Sequence, residues 1–354
     1  MVHKTLRNSN LELYRVIAMV LIVAHHYFVN SGLLIVTSVD PLSIKSLYLY
    51  LFGMWGKTGI NCFVLITGYF MCASSITLKK FLKLMLEIYF YKTLIFVVFW
   101  ICGYESISLQ SLMRLVLPVT DVAENFTGCF VLFWLAIPFL NVLIKNLTKR
   151  QHGLLLILSL SIYVILPLLP FNRVVMNYVT WFIVLYFISS YIRMYEFQLF
   201  TNRTWGWITL LLIATSMLSV AACLKLGLSP YWFVSDSNAI LAVMVGISSF
   251  MYFKDVHIPY NKFINTLGAS TFGVLLIHAN SDAMRTWLWS DTLNNVGCFT
   301  HPTAVVITHS ILSVILIYTI CTVIDWLRIN FFEKPFFSSF GETIDKLQNR
   351  IFAS

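Results

Sequence analysis

Charge is scarce in this 354-residue chain: 11% of its residues are charged, against 59% hydrophobic and a mean hydropathy of +0.81. Those values lie far outside the range of water-soluble globular proteins. No long polar stretch is present in which a soluble domain could sit, so residues 1–354 read as one integral membrane domain. A cleavable signal pattern is also missing. His3, Lys4 and Arg7 run into a long apolar helix with no A-x-A-like site, so that first helix is expected to remain. The seven cysteines, Cys62, Cys72, Cys102, Cys129, Cys223, Cys298 and Cys321, include no CxxC pair and fall mostly in apolar runs. They read as small core residues, with neither a metal site nor a disulfide framework indicated. No internal repeat is visible at domain scale, which argues against a transporter built from inverted halves.

Long apolar runs are what the chain has instead. About ten are long enough to cross about 30 Å of hydrocarbon, at 11–30, 52–74, 84–104, 126–144, 153–171, 178–196, 205–224, 238–253, 263–280 and 303–325. The eighth and ninth are the shortest or the most interrupted by polar residues. The net charge of +9 does not point to nucleic acid, because Lys and Arg fall in short clusters between the runs. With the N-terminus inside, cytoplasmic segments hold Lys4, Arg7, Lys79, Lys80, Lys83, Lys145, Lys149, Arg150, Arg193, Arg203, Lys254, Lys262, Arg328, Lys334, Lys346 and Arg350. The opposite side holds Lys45, Lys57, Arg114, Arg173, Lys225 and Arg285. That imbalance follows the positive-inside rule. The expected fold is an all-α polytopic transmembrane bundle of about ten spans in the plasma membrane, with both termini cytoplasmic.

Within the first run, LELYRVIAMVLIVAHHYF from Leu11 to Phe28, stand Arg15, His25 and His26. Eleven helical positions return to within about 20° of the starting direction, so Arg15 and His26 share one face about 16 Å apart. His25 points about 80° away by the same geometry. Titratable groups at membrane depth cost free energy unless they face a partner or an aqueous cavity. Two on one stripe therefore suggest a functional lumen; the plainer reading is an arginine snorkelling to the interface and a satisfied buried histidine.

Other polar residues in apolar runs admit similar pairs of readings. Gly59, Asn61, Thr67 and Gly68 in the second run suit close helix packing. Glu87 and Lys92 are five positions apart, about 140° around a helix, so each needs its own neighbour; Glu87 reads as solvated near the cytoplasmic end and Lys92 as ion-paired to another helix. The run TLKKFLKL places Lys79, Lys80 and Lys83 in the cytoplasm, where topology alone explains them, and where with Arg7 and Arg15 they would also attract a phosphorylated donor. The ninth run ends on His278, Asn280, Asp282 and Arg285, a polar cluster that is either an interface or a site facing the first-run histidines. His309 reads as core packing. Asp40, Asp236, Asp282 and Asp291 with Trp232, Trp287 and Trp289 on the outer side suit sugar binding, although tryptophan at this level is also the ordinary aromatic belt. The triplets Asn125-Phe126-Thr127, Asn146-Leu147-Thr148 and Asn202-Arg203-Thr204 match a glycosylation sequon and read as chance.

Four segments in order carry a family resemblance: RVIAMVLIVAHHY with Arg15 and His26, CFVLITGYF followed by TLKKFLKL, IPFLNVLIKNLTKRQ, and STFGVLLIHANSDAMRTWLW. Together they resemble the acyltransferase 3 family of membrane-embedded acyltransferases, particularly the branch associated with bacterial exopolysaccharide loci. The resemblance implies an acyltransferase that transfers groups other than aminoacyl. Its co-substrate would be an acetyl-CoA donor entering from the cytoplasm, and its acceptor a hydroxyl of a polysaccharide or lipid-linked glycan. It implies that His26 is catalytic and that Arg15 orients it or the donor. Lys79, Lys80 and Lys83 are then expected on the donor, and His278, Asn280 and Arg285 on the substrate, with no metal and no nucleic acid. The bilayer is the obligate partner, and a homodimer is compatible with the reading. The alternative is a transporter or flippase of a polar solute or glycan, with Arg15, Lys92 and His278 lining a path. A scaffold of a polysaccharide assembly complex explains the spans but not the buried Arg15 and His26.

Overall fold

The computed structural model describes residues 8–117, 119, 126–169 and 176–352, and no strand occurs among them. His3, Lys4, Arg7, Arg173 and the start of the Asn125 triplet lie outside the described residues. The first half of the chain forms α1 (Ser9–Val29), α2 (Leu33–Val39), α3 (Ile44–Gly53), α4 (Gly56–Met71), α5 (Leu78–Ile101), α6 (Leu109–Val116), α7 (Phe126–Asn146) and α8 (Lys149–Leu160). The second half forms α9 (Tyr178–Met194), α10 (Asn202–Lys225), α11 (Ile240–Asp255), α12 (Lys262–Ala269), α13 (Thr271–His278), α14 (Asp282–Thr286), α15 (Asn295–Phe299), α16 (Thr303–Arg328) and α17 (Lys334–Phe352).

Among the described residues, seven helices or joined helices are long and apolar enough to cross a membrane: Ser9–Val29, Ile44–Met71, Leu78–Ile101, Phe126–Asn146, Lys149–Leu168, Asn202–Lys225 and Thr303–Arg350. The remaining three predicted runs are shorter helices. α9 has 17 residues and α11 has 16, and the ninth run breaks at Ser270 into the eight-residue helices α12 and α13. At about 1.5 Å per residue, 16 residues rise about 24 Å, less than the full hydrocarbon thickness. The fold is therefore the predicted all-helical, multi-pass membrane bundle.

α1 is the axis of the bundle, in contact with α3, α4, α11, α12, α13 and α16. Its close approach to α4 depends on missing side chains. A β-carbon on Gly59 would sit 2.7 Å from the Ala18 carbonyl oxygen, and one on Gly56 would collide with the His25 ring. In an apolar solvent, helices associate through such close packing because no hydrophobic force drives them together. Asn61, fully buried, fastens α4 to other neighbours. It donates to the Ser237 carbonyl at 2.7 Å and accepts from Trp181 Nε1 at 2.9 Å, tying α4 to α9 and to the segment before α11. The outer helices instead turn apolar side chains outward, among them Leu154 and Ile157 on α8, Leu211 and Leu218 on α10, and Leu312 and Ile315 on α16. An apolar surface that broad suits lipid as its solvent.

Lateral contacts define two ends of the bundle. At one, Asn10 donates to the Phe253 carbonyl, Lys83 pairs with Glu333 and Arg193 donates to Tyr69. At the other, Lys45 donates to the Phe299 carbonyl, Tyr231 to the Tyr50 carbonyl and Asn295 to the Tyr27 carbonyl. Two of the sequon-like triplets mark helix starts at the first end. Thr148 caps α8 by accepting from the Gln151 amide, and Thr201 caps α10 by accepting from Thr204.

Gly59→Leu is expected to lower the thermal stability of the purified protein, by about 1–3 kcal/mol for overpacking, because the obstacle is the α1 backbone and cannot move aside. Unchanged melting in detergent would contradict the close crossing.

Candidate active site: a histidine pair and a basic cleft on one helix

α1 carries the polar groups of two half-sites at its two ends. Near its start, Arg15 lies 3.3 Å from both carboxylate oxygens of Glu12, one helical turn earlier, and 6.0 Å from the centre of the Phe63 ring. Glu12 is buried, and its carboxylate rests against Gly268, where any β-carbon would collide with it. The arginine faces a cleft of about 220 Å³ that is also lined by Thr67, Lys80, Lys83, Glu87 and Thr271.

One wall of this cleft is the break between α12 and α13. Ser270 ends the first helix and starts the second, and Gly268, Ala269, Thr271 and Phe272 all reach the cleft. Interrupted backbone at membrane depth is tolerated where it lines a cavity. Of the three predicted lysines, two are at the cleft. Lys80 is held on the 72–76 loop by the Ser75 carbonyl at 2.8 Å, and Lys83 pairs with Glu333 at 2.7 Å. Lys79 turns toward α17, with its ammonium 5.9 Å from the centre of the Phe337 ring.

Behind the cleft lies a buried ion network. The Arg328 guanidinium contacts Asp325 at 2.8 Å, Glu333 at 3.0 Å and Glu87 at 3.1 Å, and Tyr91 donates to Asp325 at 2.8 Å. Glu87, expected to be solvated, is instead paired in the interior at 7% exposure. From the sequence alone Arg328 reads only as a topology charge. The signal that could have found it is the Asp325/Arg328 spacing of three, one helical turn, at the end of an otherwise apolar helix.

At the far end of α1, His26 Nδ1 lies 2.9 Å from Nε2 of His278, the last residue of α13. His278 is fully buried, its Nδ1 is 2.6 Å from the Val274 carbonyl oxygen, and Trp289 stands edge-on to its ring at 6.5 Å. His25 faces away from this pair and donates through Nδ1 to the Gly53 carbonyl at 2.6 Å, which makes it a fastener between α1 and α3. The helical phase that separates the two histidines therefore separates their contacts too. Among the described residues, no group of three His, Cys, Asp or Glu side chains is close enough to hold a metal ion.

The family model of an acyltransferase domain matches residues 8–326, spanning both half-sites. The chain belongs to the acyltransferase 3 family. No curated protein and no solved structure matches it.

The remaining predicted residues of this acyltransferase surround the histidine pair or stand apart from it. Asn280 donates to the Leu276 carbonyl at 2.8 Å, finishing α13, and Arg285 pairs with Asp282 at 2.6 Å. Arg285 and Lys57 both lie within electrostatic reach of His26. Lys57 was not singled out from sequence, since a lysine at the mouth of a helix reads as topology. Lys92 donates to the Arg114 carbonyl at the end of α6 and is not among the residues lining the cleft. His309 accepts from or donates to the Tyr27 hydroxyl at 2.8 Å, fastening α16 to α1.

Replacing Arg328 by Gln leaves three carboxylates without their shared cation. The acyltransferase is expected to lose about 3–5 kcal/mol of stability, seen as loss of the monodisperse peak in detergent chromatography; a well-folded variant of wild-type stability would remove the network from its structural role.

Proposed function

We propose that this membrane acyltransferase is an O-acetyltransferase that moves an acetyl group from acetyl-CoA to a hydroxyl of a surface or exported polysaccharide, with His26 as general base. The observation that carries this reading is the placement of a basic cleft and a paired histidine on one face of one helix, about 16 Å apart. Arg15, Lys80 and Lys83 offer charge-assisted hydrogen bonds to the phosphates of the donor. Arg15 is too distant to bond to His26 directly, so the two divide the work: one end grips the donor and the other performs proton transfer.

A neutral imidazole suits that chemistry near neutral pH. His26 takes the proton from the acceptor hydroxyl as its oxygen attacks the thioester carbonyl carbon. The tetrahedral intermediate then collapses, the carbon–sulfur bond breaks, and the departing thiolate takes the proton back from His26. The donor enters from the Arg15 end, which the positive-inside bias assigns to the cytoplasm, with about ten crossings of the plasma membrane and both termini inside. The acceptor meets His26 at the opposite end.

The transport alternative needs Arg15, Lys92 and His278 on one path. Lys92 bonds to the end of α6 and does not line the cleft, which favours chemistry over transport.

His26→Ala is expected to abolish acetyl esters on the cell-surface glycan, read by mass spectrometry, while the protein remains in the membrane fraction. Persisting esters would overturn the assignment. Lys80→Gln and Lys83→Gln are each expected to raise the KM for acetyl-CoA about tenfold, the equivalent of one charge-assisted hydrogen bond. Lys79→Gln, on the α17 side, should leave that KM near wild type.

A further inference from the structure

The hydrogen bonds around His278 have a direction, and it reaches His26. The Val274 carbonyl can only accept, so the His278 nitrogen facing it at 2.6 Å, Nδ1, carries a hydrogen. A neutral imidazole has one N–H, which leaves Nε2 of His278 with a bare lone pair. His26 Nδ1 is 2.9 Å from that lone pair and must therefore be the donor. The hydrogen of a neutral His26 then resides on Nδ1, and Nε2 is its basic nitrogen. The reverse arrangement requires a doubly protonated His278, a cation buried at 0% exposure whose bonding partners are a carbonyl and another imidazole, with Arg285 adding a second positive charge in electrostatic reach.

Resting on the general-base reading of His26, we infer that His278 is a positioning residue that fixes the tautomer of His26 and presents Nε2 to the acceptor, and that it does not bind substrate. An imidazole in water prefers its hydrogen on Nε2, the form in which His26 would offer no base to the acceptor side. His278 reverses that preference. When His26 Nε2 takes the acceptor proton, the bond from Nδ1 to His278 becomes charge-assisted, so the contact strengthens as the imidazolium forms. The chain of bonds ends on a backbone carbonyl, which cannot take up a proton. The proton accordingly stays on His26 and remains available to the leaving thiolate. Trp289, fully buried against His278, keeps water from competing for the pair.

The test uses the full-length protein in nanodiscs, acetyl-CoA as donor and alkali-de-esterified surface polysaccharide as acceptor. His278→Phe keeps a ring but removes the acceptor nitrogen; kcat should fall about a hundredfold, at the lower end of what general-base catalysis contributes, with both KM values unchanged. His278→Gln, whose amide oxygen accepts from His26 Nδ1 while its NH₂ donates to the carbonyl, should restore most of kcat. A raised acceptor KM at unchanged kcat would instead make His278 a substrate ligand and overturn the inference, as would equal loss in both variants. Should His278→Phe fail to fold, ¹⁵N-histidine spectra of the wild type decide, with His26 assigned by difference against His26→Asn. A protonated Nδ1 and bare Nε2 support the inference, and the opposite pattern refutes it. Wild-type kcat in His278→Phe together with an inactive His26→Ala would defeat this inference alone, whereas an active His26→Ala would defeat the general-base reading.

Discussion

Arg328 is a buried cation shared among three carboxylates, and the position of the histidine pair depends on it. Its bonds to Asp325 and Glu87 fix the end of α16 against α5. α13 then packs over that junction through Gly273, which leaves room for the Asp325 carboxylate where a β-carbon would collide. Seated there, α13 delivers His278 to His26, 252 positions away in the chain. In an apolar interior a charge group left without a partner is very costly, so such a network tolerates few alternative arrangements. That intolerance makes it suited to hold a distant pair of rings within hydrogen-bond distance.

The helical bundle itself was legible in the residues. Long apolar runs leave one structural solution in a bilayer, because every backbone polar group must be satisfied within its own segment. Helical phase alone placed Arg15 and His26 on one face and turned His25 aside, and the structure gives His25 a separate partner in Gly53. Gly59 and Gly68 read as packing residues and sit where α1 and α9 press on α4.

What stayed hidden depends on contacts between remote segments. Nothing local to Glu87 announces Arg328, so a residue expected in water turned out to be buried and paired. The basic run at 79–83 gives three equivalent lysines in one dimension, but a helix sends them different ways, with Lys79 toward α17 and Lys80 and Lys83 toward the cleft. The break at Ser270 was only partly readable: polar residues interrupt the ninth run, but TLGASTFGVLLIH contains no proline and only small residues to mark where the helix ends.

That break shapes how the two half-sites relate mechanically. α13 begins at Thr271, on the wall of the basic cleft, and ends at His278, eight residues on. Two helical turns form a stiff rod about 12 Å long, freed from α12 at one end and bonded to His26 at the other. One short helix therefore runs from the cleft wall to the imidazole that meets His26. Together with α1, which carries Arg15 and His26, α13 makes a second covalent link between the cleft and the histidine pair.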